Sequence, residues 1–159
     1  MEYDIIEIKD NNKKAEYTKL ILEKLPDRFG NEKGLQNFIN TVCEYPFWAA
    51  LHNDNCIGFY SGKIHYSRTG EIYVCGIDPN YHGRGIGTLL YKKVEDYFTQ
   101  NNCEYVIVKT LSDISNYEPY LKTKGFYIKM GFKELLTLTE MWDKDNPCLI
   151  MIKNLGVSK

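Results

Sequence analysis

The spacing of apolar and polar positions along the chain changes period several times, and each change marks an element. Tyr3 to Lys9 reads as a strand, and a polar stretch from about Lys13 to Leu25 is predicted as a helix that Pro26 and Gly30 bring to an end. Leu35, Phe38, Ile39 and Val42 follow the i, i+3, i+4, i+7 spacing of a buried helical face, which Pro46 closes. Phe47 to Leu51 and Ile57 to His65 have the composition of strands, and the polar His52-Asn53-Asp54-Asn55 between them favours a tight turn, so a hairpin is expected. A second turn at Ser67-Arg68-Thr69-Gly70 leads into a strand from Glu71 to Ile77.

The period then lengthens. Ile86, Leu89, Leu90, Val94, Tyr97 and Phe98 predict a helix running to about Gln100. A strand over Glu104 to Leu111 follows, then a helix from about Pro119 to Met130 with Gly131 as its C-cap. Phe132 to Leu138 and Leu149 to Lys153 read as closing strands. The order β, α, α, β, β, β, α, β, α, β, β is that of a mixed α/β fold: an antiparallel meander, then one strand-helix-strand crossover.

Composition narrows the function classes. At 159 residues with 43% apolar and 14% aromatic side chains, the chain can fill a core unaided, and no repeat or linker divides it, so one domain over residues 1–159 is expected. A formal charge of −1 from 20 basic and 21 acidic residues offers no electropositive field for a nucleic acid. The five cysteines form no C-x-x-C pair, which argues for free core thiols in a reducing compartment and against a disulfide framework or a metal site. The acidic start, MEYDIIEIKD, lacks the basic region of a signal peptide, and no apolar run approaches the roughly 18 residues of a membrane span, so a cytoplasmic location is expected.

The most informative stretch is Val74-Cys75-Gly76-Ile77-Asp78-Pro79-Asn80-Tyr81-His82-Gly83-Arg84-Gly85-Ile86-Gly87-Thr88-Leu89-Leu90, a strand passing through a glycine loop into a helix. Glycines let backbone amides approach a ligand closely, and a helix start adds unpaired donors and a positive dipole end, so an anion site is expected. A Walker A loop fails on spacing, because Thr88 stands five positions after Gly83 and no lysine follows. A dinucleotide G-x-G-x-x-G also fails, ending on Thr88 from Gly83 or on Leu90 from Gly85. A ligand-free glycine turn is the plainer reading, and it is disfavoured because four glycines from Gly76 to Gly87 are a costly way to make a plain connection.

Here the sequence resembles the GNAT acetyltransferases. His82-Gly83-Arg84-Gly85-Ile86-Gly87 is similar to that family's Gln/Arg-x-x-Gly-x-Gly/Ala loop, with His82 in the Gln/Arg place, and Phe126-Tyr127-Ile128-Lys129-Met130-Gly131-Phe132 to its late Phe-Tyr-x-Lys-x-Gly-Phe motif. The resemblance implies the acyl-CoA N-acyltransferase fold, a central and mostly antiparallel sheet with flanking helices, and acetyl-CoA as donor substrate with no metal. The cofactor would be held by Cys75, Ile77, His82, Gly83, Arg84, Gly85, Ile86, Gly87, Thr88 and Tyr120, the last standing where many relatives carry an Asn. A small-molecule amine is the implied partner, with neither nucleic acid nor membrane, and a homodimer is admitted.

Acetyl transfer needs a neutral amine, and a primary amine of pKa near 10.4 is only about one part in two thousand neutral at pH 7. Glu71 resembles the glutamate that some members use as general base, against the plainer reading of a solvated strand-end carboxylate. Tyr127 occupies the place of the tyrosine that donates to the thioester sulfur, against the plainer reading of a packing ring, and the Cys75 amide is placed to polarise the acetyl carbonyl. A Cys75 nucleophile lacks an adjacent base, and His52 and His65 read as surface residues. Acceptor choice is expected from Leu25-Pro26-Asp27-Arg28-Phe29-Gly30, Tyr45-Pro46-Phe47-Trp48 and Met141-Trp142-Asp143, whose rings and carboxylates suit a cationic amine and equally suit core or loop packing. Three alternatives stay open: an idle acyl-CoA-binding module, a protein lysine or N-terminal acetyltransferase, and a nucleotide-binding protein using the glycine loop.

Overall fold

The computed structural model describes residues 2–25, 32–111, 118–143 and 146–156. In chain order they form β1 (Asp4–Glu7), α1 (Asn11–Leu22), α2 (Glu32–Thr41), β2 (Phe47–His52), β3 (Asn55–His65), β4 (Thr69–Ile77), α3 (Ile86–Gln100), β5 (Tyr105–Leu111), α4 (Glu118–Lys129), β6 (Lys133–Asp143) and β7 (Asn146–Asn154), with 3-10 turns at Val42–Glu44 and Pro79–Tyr81. The element order is the one that periodicity predicts, and α3 has the predicted bounds. The fold class is mixed α/β, with mostly antiparallel strands flanked by helices. The chain packs as two compact units, Met1–Lys63 with Ile72–Tyr97, and Ile64–Glu71 with Phe98–Lys159.

In the first unit β1 pairs antiparallel with β2, Asp4 opposite Leu51 and Glu7 opposite Trp48, and β2 pairs antiparallel with β3, Phe47 opposite Ser61 and His52 opposite Asn55. Asn53 and Asp54 turn this hairpin with φ of 51° and 67°, the left-handed pair that a two-residue turn needs and that these side chains tolerate. Asp10 starts α1 by accepting from the amides of Asn12 (2.8 Å) and Lys13 (3.2 Å). Thr18, Ile21 and Leu22 then turn inward, and Ile21, Leu22, Leu25, Val42, Phe47, Phe59 and Val74 make the core. Gly76 lets α1 lie close to β4, since a Cβ there would stand 3.0 Å from both Ile21 and Leu25. Of the segment expected to select the acceptor, Phe47 and Trp48 are core residues, 0% and 6% exposed, because β2 turns both into packing against Phe59 and Tyr97. Pro26 to Gly30 lie outside the described residues.

The second unit runs β5, β7, β6. Tyr105 pairs with Asn154 and Leu111 with Cys148, while Lys133 pairs with Ile152 and Asp143 with Asn146. The closing strands are longer than predicted, β6 running on through Glu140-Met141-Trp142 to Asp143, which pairs with Asn146 beyond a register irregularity that follows Leu138. Gly131 ends α4 at φ 101°, its amide bonding the Ile128 carbonyl (3.0 Å) and the Phe132 amide the Tyr127 carbonyl (2.9 Å). These are the paired bonds of a Schellman cap, and the ring contact of Tyr127 with Phe132 supplies its hydrophobic closure. None of the five cysteines is in a disulfide; Cys56, Cys103 and Cys148 are buried, and burial pushes the Cys56 thiol up to about 12.

Candidate functional site

In the first unit, β4 delivers the chain into the glycine loop through a turn built on Asp78. Its carboxylate accepts the Asn80 amide (2.9 Å) and the Lys24 ammonium (2.8 Å). Burial acts to raise the Asp78 pKa, but the Lys24 and Asn80 hydrogen bonds with the Lys24 and His82 charges outweigh it, so the carboxyl is held below its usual value. The amides of Tyr81 and His82 reach back to the Asp78 and Pro79 carbonyls at 2.8 and 3.3 Å. His82 does not extend outward: its Nε2 donates to the Ile77 carbonyl at 2.8 Å, tying the loop to the end of β4 and leaving Nδ1 as the other ring nitrogen.

Gly83 and Gly85 hold φ of 78° and 80°, where a side chain is strained, and among the described residues nothing lies within 4 Å of where a Cβ would stand at either. The Leu89 amide bonds the Gly85 carbonyl (3.1 Å) and closes the first turn of α3, so the amides of Ile86, Gly87 and Thr88 have no acceptor within their own helix. An open, glycine-lined helix start with its positive dipole end is a receptor for a phosphate oxygen. The Ile86 side chain is a core anchor at 1% exposure, leaving only its backbone for a ligand. Arg84 is exposed, its guanidinium 5.1 Å from the Tyr81 ring centre, where it can meet a second phosphate. Cys75 and Ile77 are half-buried on β4. These residues fit a pyrophosphate.

The second unit holds the two expected proton-transfer residues. Glu71 is not a solvated strand-end carboxylate: it is 4% exposed, with Oε1 2.7 Å from His65 Nε2 and Oε2 3.5 Å from Lys109 Nζ. His65 is correspondingly not a free surface residue. Cross-strand proximity produces this cluster, and no sequence motif announced it. Burial pushes the nearby Cys148 thiol up, with the Lys109 charge opposing and the Glu71 charge adding to the rise. Tyr127 is 2% exposed, its ring edge-on to Phe126 (5.2 Å) and Phe132 (5.3 Å). Tyr120 lies in the first turn of α4. Met141 and Trp142 on β6 are exposed. Among the described residues no group of three or more His, Cys, Asp and Glu side chains could hold a metal ion, and no helix is long and apolar enough to cross a membrane.

Comparison with known proteins bears on the family and the fold. The sequence model of the Acetyltransferase (GNAT) family matches residues 14–132. An uncharacterized N-acetyltransferase of Methanocaldococcus jannaschii is 28% identical over 112 residues, covering 69% of this chain and 67% of that protein. The ribosomal-protein-S18-alanine N-acetyltransferase of Escherichia coli shares the fold at TM-score 0.79 and 14% identity, over 99% of this chain and 97% of that one. An aminoglycoside 6'-N-acetyltransferase complexed with coenzyme A shares it at TM-score 0.71 and 19% identity, over 95% and 96%. One structural relative is named for an alanine of a ribosomal protein and the other for an aminoglycoside, so the shared fold leaves the acceptor undetermined.

Proposed function

Because the chain belongs to the GNAT acetyltransferase family, and is thereby an acetyl-CoA-dependent acyltransferase, we propose that it transfers acetyl to the primary amine of a small molecule, as one catalytic domain over residues 1–159 acting in the cytoplasm. The observation that carries this reading is the open helix start at Gly83 and Gly85, with both glycines in the left-handed region. The amides of Gly83, Gly85, Ile86, Gly87 and Thr88, with the Arg84 guanidinium, would hold the pyrophosphate of acetyl-CoA, while His82 braces their loop; Tyr120 and Ile77 would border its pantetheine arm. When bound, the thioester supplies an activated acetyl group.

The chain's own residues then handle the protons. The Cys75 amide would donate to the acetyl carbonyl oxygen. Glu71 would take a proton from the acceptor ammonium, directly or through water, so that the amine lone pair is free to attack. His65 and Lys109 fix both carboxylate oxygens and set their direction. Tyr127 would pass its hydroxyl proton to the departing thiolate. The edge strand β6, with Leu135, Leu136, Leu138, Met141 and Trp142 exposed, supports a homodimer, which sedimentation would detect.

Calorimetric and thermal-shift titration with acetyl-CoA, CoA, NAD and ATP, followed by thiol release against amines, tests the reading. Selective stabilisation by acetyl-CoA with amine-dependent release is expected, and Glu71→Gln should lower that release at least about tenfold. Absence of CoA binding would overturn the proposal, and binding without release from any amine or lysine peptide would favour an acyl-CoA-binding module.

A further inference from the structure

Tyr45, expected to help receive a cationic substrate, already meets a lysine of the chain itself, as does its neighbour Tyr73. In the first unit the Lys63 ammonium lies 5.5 Å from the Tyr45 ring centre and 5.4 Å from that of Tyr73, within the range of a cation–π contact with each. Tyr45 and Tyr73 tilt toward one another at 4.7 Å, and Phe38 closes on Tyr73 edge-on at 5.5 Å. Tyr73 Oη and Thr41 Oγ1 share a hydrogen bond of 2.7 Å, which fixes the second ring. Lys63, Tyr45 and Tyr73 are all half-buried, so the cluster is partly desolvated yet open on one side.

Lys63 is set against two rings rather than against a carboxylate. Lys24 pairs with Asp78, Lys109 with Glu71 and Lys124 with Glu134, whereas among the described residues no carboxylate pairs with Lys63. A second lysine adds to the positive field beside Tyr45, for the ammonium of Lys14 donates to the Tyr45 carbonyl at 2.7 Å. Tyr73 stands two positions before Cys75 on β4, about 7 Å along the strand.

From this arrangement we infer that the acceptor carries an anionic group, a carboxylate, bound by Lys63, so that the substrate class is an amino-acid-like primary amine rather than a polyamine or aminoglycoside. The inference rests on the acetyl-transfer reading, because Cys75 marks the acetyl carbonyl there and Tyr73 therefore borders the acceptor. A half-desolvated ammonium gains charge-assisted hydrogen bonds from a carboxylate and repels a second ammonium in the same place.

The test holds the reacting amine constant and varies the far end of a five-carbon chain: 5-aminovalerate, pentylamine and cadaverine, with L-alanine against L-alaninamide as a second pair, each followed by thiol release from acetyl-CoA. We expect the carboxylated member to be favoured in kcat/KM by about tenfold or more, the advantage to collapse in Lys63→Gln through KM, to return in Lys63→Arg, and to reverse toward cadaverine in Lys63→Glu. An unchanged acetyl-CoA thermal shift in each variant establishes that it is folded. Equal or better use of cadaverine or pentylamine, a preference that Lys63→Gln leaves intact, or acetyl-CoA binding without release from any carboxylated acceptor overturns the inference. Failure to bind acetyl-CoA at all overturns instead the reading on which it rests.

Discussion

Tyr127 has a structural duty as well as the proposed catalytic one, and two substitutions separate them. Its ring is 2% exposed and contacts Phe126 at 5.2 Å and Phe132 at 5.3 Å, while its carbonyl accepts the Phe132 amide that closes α4. Tyr127→Phe keeps the ring and the backbone bond and removes one hydroxyl, so stability should change by no more than about 1 kcal/mol. For a chain of this length that is a shift of about 2–4 °C in Tm. Tyr127→Ala empties the space between the two phenylalanines and should cost about 3–5 kcal/mol through lost transfer energy and the cavity left behind. In turnover the order is different. Loss of a positioned acid costs about 10²- to 10⁴-fold, so Tyr127→Phe should lower kcat at least about tenfold, a barrier change of about 1.4 kcal/mol or more, with acetyl-CoA affinity nearly unchanged. Thiol release at saturating acetyl-CoA, calorimetric affinity and urea unfolding read the three quantities. Wild-type turnover in Tyr127→Phe would remove it from the acid role and leave a helix-capping ring; affinity falling in step with turnover would assign it to binding.

Three further outcomes follow from local geometry. Gly85→Val should weaken acetyl-CoA binding in calorimetry, because valine at φ 80° is strained and its side chain fills the open space above the helix start; unaltered affinity would place the cofactor elsewhere. Gly70→Ala should destabilise by about 1–3 kcal/mol in urea unfolding, since its Cβ would stand 2.5 to 2.6 Å from three atoms of the buried Phe98 ring, whereas Gly125→Ala, with nothing within 4 Å, should stabilise α4 by up to about 1 kcal/mol. The Asp78 pKa is depressed on folding, so its contribution to stability is present above the usual carboxylate value of about 3.9 and lost as pH falls through the lower folded value. Asp78→Asn should therefore reduce Tm at neutral pH and flatten the acid limb of the Tm profile, and an unchanged limb would show that Asp78 does not carry it.

What the sequence by itself determined was everything that depends on neighbours along the chain. The element order, the bounds of α3 at Ile86 and Gln100, the glycine loop ahead of it and the Gly131 cap were legible because helical period and turn chemistry are properties of a few consecutive residues. Strand ends were less so: β4 begins at Thr69 rather than Glu71, and β6 runs on to Asp143, because pairing with another strand rather than local alternation sets where a strand stops. Only the tertiary structure decided the environment of each chemical group. It buried Glu71 between His65 and Lys109, put Phe47 and Trp48 into the core instead of the acceptor region, turned His82 back to the Ile77 carbonyl, and laid Lys63 across Tyr45 and Tyr73. His65 lies 6 residues before Glu71 and Lys109 lies 38 after it, and Tyr45 and Tyr73 flank Lys63 from different elements. The pairing of Glu71 with His65 and Lys109 arises from strands brought side by side, a relation that no window of consecutive residues contains.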